Sequence, residues 1–314
     1  MENSLKFPSY HSGPLNSIKL NYSQNTIATC GNDYKINLFS TEEILKNNFS
    51  PIAELIGHDQ SIWDLSFSHQ KYGNFLASCS YDNKLIIWKE ISKNNYQNIF
   101  SYIHQGSVNC CKFAPSEYGL IILCGISDGS ISLHEYNTNT NTWSSHIMTK
   151  IHQNGVNSVD WAPAIPPINF EDTEDENENF PELNKMKFVT CGNDNTLKIF
   201  KCQNNNINSF SEEISENDNN IFSYDSVPKS VCFLNYVGYS YLTFAVGLEN
   251  GKCLIYKNDG NYWVISEELN LGCPIIKVSW SSCGTYLGIS CLDASRQIRF
   301  FKENNDQKWI EINK

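Results

Sequence analysis

The sequence predicts an all-β fold, a β-propeller assembled from six repeated units. Three observations carry this. Apolar residues alternate with period two in short runs, which marks half-buried strands rather than helices. Histidine corners precede those runs at His11, His58, His104 and His152. Turn aspartates follow the second run of a unit at Asp33, Asp82, Asp128, Asp194 and Asp293, and Asn250 stands in for one more. These turns lie 43 to 49 residues apart, except where polar insertions lengthen two of the intervals. That is the period of a four-stranded propeller blade.

The second unit shows the pattern most fully: GHDQSIWDLSFSHQKYGNFLASCSYDNKLIIWKE, from Gly57 to Glu90. In its first run Ile62, Asp64 and Ser66 share one face and Trp63, Leu65 and Phe67 the other. Asp82-Asn83 is turn chemistry, because both side chains can satisfy local backbone groups. Leu85-Ile86-Ile87-Trp88 is apolar throughout and reads as a strand buried on both faces. Strands, Gly-His corner and Asp turn together resemble a WD repeat. His58, Ser78, Asp82 and Trp88 are then expected to form a hydrogen-bonded tetrad. The carboxylate accepts from the ring and the turn, and the serine hydroxyl links the ring to the indole N–H. A Ser-His-Asp catalytic triad is the rival reading. The same spacing recurs in units whose members are replaced, which favours a structural role.

The units run approximately over 11–56, 57–103, 104–151, 152–223, 224–271 and 272–314. An insertion at 165–185 contains EDTEDENEN and is expected to be a disordered acidic loop. The Asn-rich stretch 203–220 also reads as loop. The fifth unit is degenerate, with no Gly-His before it. Each unit is expected to own all four of its strands. The residues before His11 offer only a short apolar patch, Leu5 to Phe7, ended by Pro8, so no strand is at hand to latch a ring. Blades left without a neighbour expose apolar faces, and such faces mark partner sites. The candidate partner-binding residues are Ile18, Leu20, Ile36 and Leu38 in the first unit and Val278, Trp280, Leu287 and Ile289 in the sixth.

Composition limits the function classes. The chain has 314 residues, which the repeats assign to a single domain, and 40% hydrophobic residues, enough for a packed core. A net charge of −11 argues against a general nucleic-acid or anionic-membrane binder. Twelve cysteines occur without any CxxC, many inside strand-like runs, which fits a reduced, cytosolic or nuclear protein. The N-terminal residues carry no signal-peptide pattern, and no apolar run approaches the roughly 20 residues that span a bilayer. No HxH, HExxH or Gly-rich phosphate loop appears. No catalytic residue, cofactor or metal is therefore expected.

The segments HDQSIWDLSFSHQKYGNFLASCSYDNKLIIWKE, SVNCCKFAPSEYGLIILCGISDGSISLHEY, GVNSVDWAPA and KVSWS resemble the Sec-thirteen family, the small WD-repeat subunits of the COPII outer coat. The resemblance spans Ser12 to Ile312. It implies an open six-bladed WD-repeat β-propeller, completed by a seventh blade that a partner donates in trans between blades one and six. The implied partners are the large cage-forming subunit of the coat and an α-solenoid nucleoporin of the nuclear pore Y-complex. A TOR-regulating complex or another nuclear-pore WD protein gives the alternative setting. The implied role is a non-enzymatic scaffold in ER-to-Golgi transport. The implied location is cytoplasmic, peripheral on COPII vesicles and ER exit sites, and at the nuclear pore, with no direct nucleic-acid contact and no membrane insertion. The sequence departs from the family in the missing fifth Gly-His, in the longer turn Ala294 to Arg296, and in Phe301 where a Trp is usual.

Overall fold

The computed structural model describes residues 8–164, 186–204, 206–213, 222–235, 242–258, 262–293, 298–304 and 308–312. Within them the chain forms six four-stranded sheets, each a meander in chain order. The fold is a six-bladed β-propeller of the WD type. The segments Leu5 to Phe7, 165–185 and Ala294 to Arg296 lie outside the described residues.

Two compact units divide the chain, Met1–Asp128 with Ser132–Ser145, and Gly129–Ile131 with His146–Lys314. In the first, blade one comprises β1 (Leu15–Leu20), β2 (Thr26–Gly31), β3 (Lys35–Ser40) and β4 (Ala53–Ile56). Blade two comprises β5 (Ile62–Phe67), β6 (Phe75–Ser80), β7 (Lys84–Ser92) and β8 (Asn95–Ile103). Blade three comprises β9 (Val108–Phe113), β10 (Ile121–Ile126), β11 (Ile131–Asn137) and β12 (Thr142–Met148). The unit boundary cuts through its last two strands. A short helix, α1 (Thr41–Leu45), interrupts blade one between β3 and β4. Ser40 caps it by accepting from the Glu43 N–H, and Glu42 and Glu43 suit the positive end of its dipole.

In the second unit, blade four comprises β13 (Val156–Trp161), β14 (Lys187–Gly192), β15 (Leu197–Cys202) and β16 (Phe210–Glu212). Blade five comprises β17 (Pro228–Phe233), β18 (Thr243–Leu248), β19 (Lys252–Asn258) and β20 (Trp263–Asn270). Blade six comprises β21 (Ile275–Trp280), β22 (Tyr286–Cys291), β23 (Ile298–Glu303) and β24 (Trp309–Glu311). Strand β16 corrects the reading of 203–220 as loop. Phe210 is buried against Trp161 and Phe188, and that one aromatic anchors a three-residue strand within a polar stretch.

Within each unit, neighbouring blades pack face to face. Ala28, Cys30, Ile36, Leu38 and Leu55 of blade one bury against Ile62, Leu65, Leu76, Ile86 and Trp88 of blade two. Blades two and three, four and five, and five and six share cores of the same kind. Burying one such aliphatic or aromatic side chain contributes about 2 kcal/mol, so these cores hold the blades in place. Cys30, Cys79, Cys124, Cys191 and Cys291 sit buried on the second strands of blades one, two, three, four and six, and Cys253 is buried on the third strand of blade five.

In blades one to five the turns between second and third strands share one backbone solution. The residue after the Asp or Asn is left-handed: Tyr34, Asn83, Gly129, Asn195 and Gly251 have φ of 67°, 68°, 85°, 62° and 90°. Asn and Gly tolerate this region readily, whereas Tyr34 adopts it at some cost. At Gly129 space is decisive as well, since a Cβ there would lie 1.8 Å from the His152 carbonyl oxygen.

Candidate interaction surfaces

The blade-two tetrad assembles from the His58 corner, β6, the Asp82 turn and β7. His58 Nδ1 lies 2.9 Å from Asp82 Oδ2, and His58 Nε2 lies 2.7 Å from Ser78 Oγ. Trp88 Nε1 donates to the same hydroxyl at 2.9 Å. With Nδ1 protonated toward the carboxylate, Ser78 donates to Nε2 and accepts from the indole, so every polar group has a partner. Asp82 also accepts from the Asp59 and Lys84 N–H groups, each at 2.9 Å. Burial pushes this carboxyl up, but the hydrogen bonds from His58 and the two backbone groups hold it down at about 2. The Ser78 hydroxyl is fully buried and committed on both sides. It is not placed as a nucleophile.

Blades one and four repeat the motif with threonine in place of serine. His11 bridges Asp33 at 2.7 Å and Thr29 at 2.9 Å, and His152 bridges Asp194 at 2.9 Å and Thr190 at 2.9 Å. Phe39 and Phe200 take the place of the indole, six residues after the turn aspartate. Blade three is built differently, and sequence reasoning missed it. Its corresponding aromatic position is His134, and the linking hydroxyl has moved to Ser132 on β11. The contacts form a chain: Ser145 Oγ to His134 Nδ1 at 2.7 Å, His134 Nε2 to Ser132 Oγ at 3.0 Å, Ser132 Oγ to His104 Nε2 at 2.8 Å, and His104 Nδ1 to the Asn83 carbonyl at 3.3 Å. One proton direction satisfies all four links, and it keeps both rings neutral. Burial, helped by the neighbouring His104, pushes His134 down to about 3.

The candidate partner-binding residues separate into two groups. Register places Ile18 opposite Thr29 and Asn37, and Leu20 opposite Ile27 and Phe39. This is the face of blade one turned away from blade two. Ile18 and Leu20 are 59% and 53% exposed there. Ile36 and Leu38 belong to the opposite face, fully buried against blade two, and this corrects their grouping with Ile18 and Leu20. Parity was hard to read because β1 is inverted: its inward Ser17 and Lys19 serve Asp64 of blade two, by a 2.7 Å hydrogen bond and a 3.5 Å ion pair.

In blade six Val278, Leu287 and Ile289 are buried against blade five. Trp280 is half-buried on the same side, where its Nε1 donates to the Cys232 carbonyl at 3.0 Å and its ring packs edge-on to Trp309. None of the four lies on a free face. The face turned away from blade five carries Tyr286, Ile298, Phe300 and Ile310, which share one side by register. All four are exposed, Phe300 by 44%. The signal for them was present in the alternation Ile298, Phe300, Lys302 along β23, the opposite parity to the residues chosen.

Among the described residues no cluster of His, Cys, Asp or Glu is placed to hold a metal ion, and no helix is long and apolar enough to cross a membrane. The family described as "WD domain, G-beta repeat" matches residues 49–89. The chain is similar to the Candida glabrata "Protein transport protein SEC13-2", with 32% identity covering 98% of this chain and 99% of that protein. It is similar to the Drosophila melanogaster "Protein SEC13 homolog", with 29% identity covering 96% and 81%. Among solved structures, the crystal structure of Saccharomyces cerevisiae Sqt1 superimposes with a TM-score of 0.68 over 96% of this chain and 74% of that one, at 15% identity, a likeness of fold alone. Near-full-length similarity at this level to the transport proteins settles the relationship: the chain belongs to the SEC13 family.

Proposed function

We propose that this protein is a non-catalytic scaffold subunit of the COPII vesicle coat in ER-to-Golgi transport, and a shared subunit of the nuclear pore Y-complex. The reading rests on family membership and on the names of its relatives as transport proteins. The observation that carries its mechanism is the pair of exposed apolar faces, Ile18 and Leu20 on blade one and Ile298, Phe300 and Ile310 on blade six. A partner's β-segment of about three strands docks on these faces as a seventh blade, with backbone pairing for affinity and apolar burial for strength. An interface on the order of 2,000 Å² fits an obligate subunit of this kind. The partner is the large cage-forming coat subunit in one assembly and an α-solenoid nucleoporin in the other. Recruitment through these partners makes the protein peripheral at ER exit sites, on COPII vesicles and at the nuclear pore.

Affinity purification from cells, with partners identified by mass spectrometry, tests the assembly. The binding mode is tested by Leu20→Asp and Phe300→Asp, which should lose the partner while keeping the melting midpoint of the isolated chain. Leu38→Asp is the contrast: it puts a carboxylate into the core between blades one and two and should cost soluble protein instead. Retention of the partner by both Leu20→Asp and Phe300→Asp would refute the docking faces.

A further inference from the structure

In blade six two thiols meet beside a cation. Cys273 lies in the link between β20 and β21, and Cys291 closes β22. The pairing of Ile275 with Cys291 continues beyond the strand, where the Leu292 N–H donates to the Pro274 carbonyl at 2.8 Å. Cys273 precedes Ile275 by two residues, so it sits on the same face as Cys291 and diagonal to it. The side chains touch: the Cys291 thiol hydrogen-bonds to the Cys273 sulfur. Both pack into the core that blade six shares with blade five.

Their access to solvent differs. Cys291 is 5% exposed, whereas Cys273 is half-buried between the exposed Gly272 and Pro274. The link that carries Cys273 is pinned against the blade-five turn. The Leu271 N–H donates to the Gly251 carbonyl at 2.9 Å, and a Cβ on Gly251 would lie 2.8 Å from the Cys273 carbonyl oxygen. The Leu271 carbonyl in turn accepts from Cys273 Sγ at 3.6 Å and from Arg299 Nη1 at 3.1 Å, which brings the guanidinium to the thiol pair. Arg299 is itself fixed by Glu311, through Nε to Oε1 at 2.7 Å and Nη2 to Oε2 at 2.5 Å. A nearby cation favours the thiolate, the form of cysteine that reacts with oxidants.

We infer that Cys273 and Cys291 form a reversible redox site, at which hydrogen peroxide converts the thiol pair to a disulfide. The Cys273 sulfur attacks one peroxide oxygen. An S–O bond forms, the O–O bond breaks, and the hydroxide that leaves takes the thiol proton and departs as water. Cys291, already in contact, then attacks the sulfur of the sulfenic acid. The S–S bond forms, the S–O bond breaks, and a second water leaves with the Cys291 proton. One peroxide is reduced as two thiols are oxidised, and a thiol reductant reverses the change. Cys291 is the resolving partner because solvent does not reach it, and because burial and the contact with Cys273 push its thiol up to about 12. The site is separate from the apolar faces of blades one and six and does not depend on a donated blade.

The test uses the full chain carrying Cys283→Ser, because the exposed Cys283 thiol, lowered to about 7, would otherwise consume the oxidant. The folded protein is treated with hydrogen peroxide, blocked with N-ethylmaleimide and digested with trypsin, which cuts at Lys277 between the two cysteines. Mass spectrometry should find the Cys273 and Cys291 peptides joined as the main oxidised product, and dithiothreitol should part them. Adding Cys291→Ser should leave Cys273 as the sulfenic acid, trapped by dimedone, or carry it on to the sulfinic acid. Adding Cys273→Ser should leave Cys291 reduced. Three results would overturn the proposal: Cys273 left reduced or taken to the sulfinic acid without a link, a link from it to a cysteine other than Cys291, or undiminished oxidation of Cys291 in the Cys273→Ser protein. Should either added variant fail to fold, the cross-link map of the Cys283→Ser chain still decides.

Discussion

Replacing His134 by Phe should remove most of the acid sensitivity that blade three imposes. The ring is held neutral by burial, helped by the neighbouring His104, which lowers it from 6.5 to about 3. The unfolded chain therefore binds a proton that the folded chain refuses between those values. Stability from this group is complete above about pH 6.5 and is lost as pH falls toward 3. From pH 6.5 to pH 5 the loss is one and a half pH units at about 1.4 kcal/mol each, or about 2 kcal/mol. His104 and His152 are lowered in the same direction, by burial first, and add to the slope in both proteins. Asp33, Asp82 and Asp194 are held below the usual carboxylate range and lose their contribution only as pH falls below about 4. Phe is a reasonable substitute because Phe39 and Phe200 occupy the equivalent position, and because Ser132 keeps His104 and Ser145 can turn to water. Urea unfolding at pH 7 and pH 5 measures the effect. The unaltered protein should lose about 2 kcal/mol more than His134→Phe over this interval. Equal losses would refute the buried, neutral assignment.

Asp82→Ala would leave the His58 ring and the Asp59 and Lys84 N–H groups without their acceptor, and should lower stability by about 1–3 kcal/mol in urea without selectively removing any one partner. Gly129→Ala combines a left-handed backbone with a Cβ driven onto the His152 carbonyl, so it should destabilise by more than about 2 kcal/mol, seen as a lower melting midpoint or loss of soluble protein.

The propeller was legible because its signals are local. Period-two runs, an Asp turn that needs a left-handed residue after it, and a His corner each announce themselves within a few residues. Two elements lacked such signals. Strand β16 has one buried residue, Phe210, and α1 is a single turn whose Ser40 cap sits at the end of β3. Facing was the harder problem. A blade has two apolar parities, and which one meets a neighbour depends on a partner strand far away in sequence. In β1 the inward side is polar, since Ser17 and Lys19 answer Asp64 some 45 residues later, so hydrophobicity alone points the wrong way. In blade six both sides are apolar, and only the packing of Val278 and Leu287 on blade five distinguishes them. The blade-three histidine chain was hidden for a related reason: Ser132 lies on a different strand from Ser78, so the spacing that marks the tetrad is absent.

The buried cysteines give the molecule a record of its own opening. A thiol reacts with an alkylating reagent as its thiolate, and burial pushes Cys30, Cys79, Cys124, Cys191, Cys253 and Cys291 upward, away from that form. Each stays silent until its blade separates from a neighbour. Cys283, exposed and lowered to about 7 by hydrogen bonds from Ser281 and Thr285, reacts at once and calibrates the reagent. A short pulse of alkylation during slow denaturation therefore writes the order in which the blades come apart into the masses of peptides that carry one reporter from every blade.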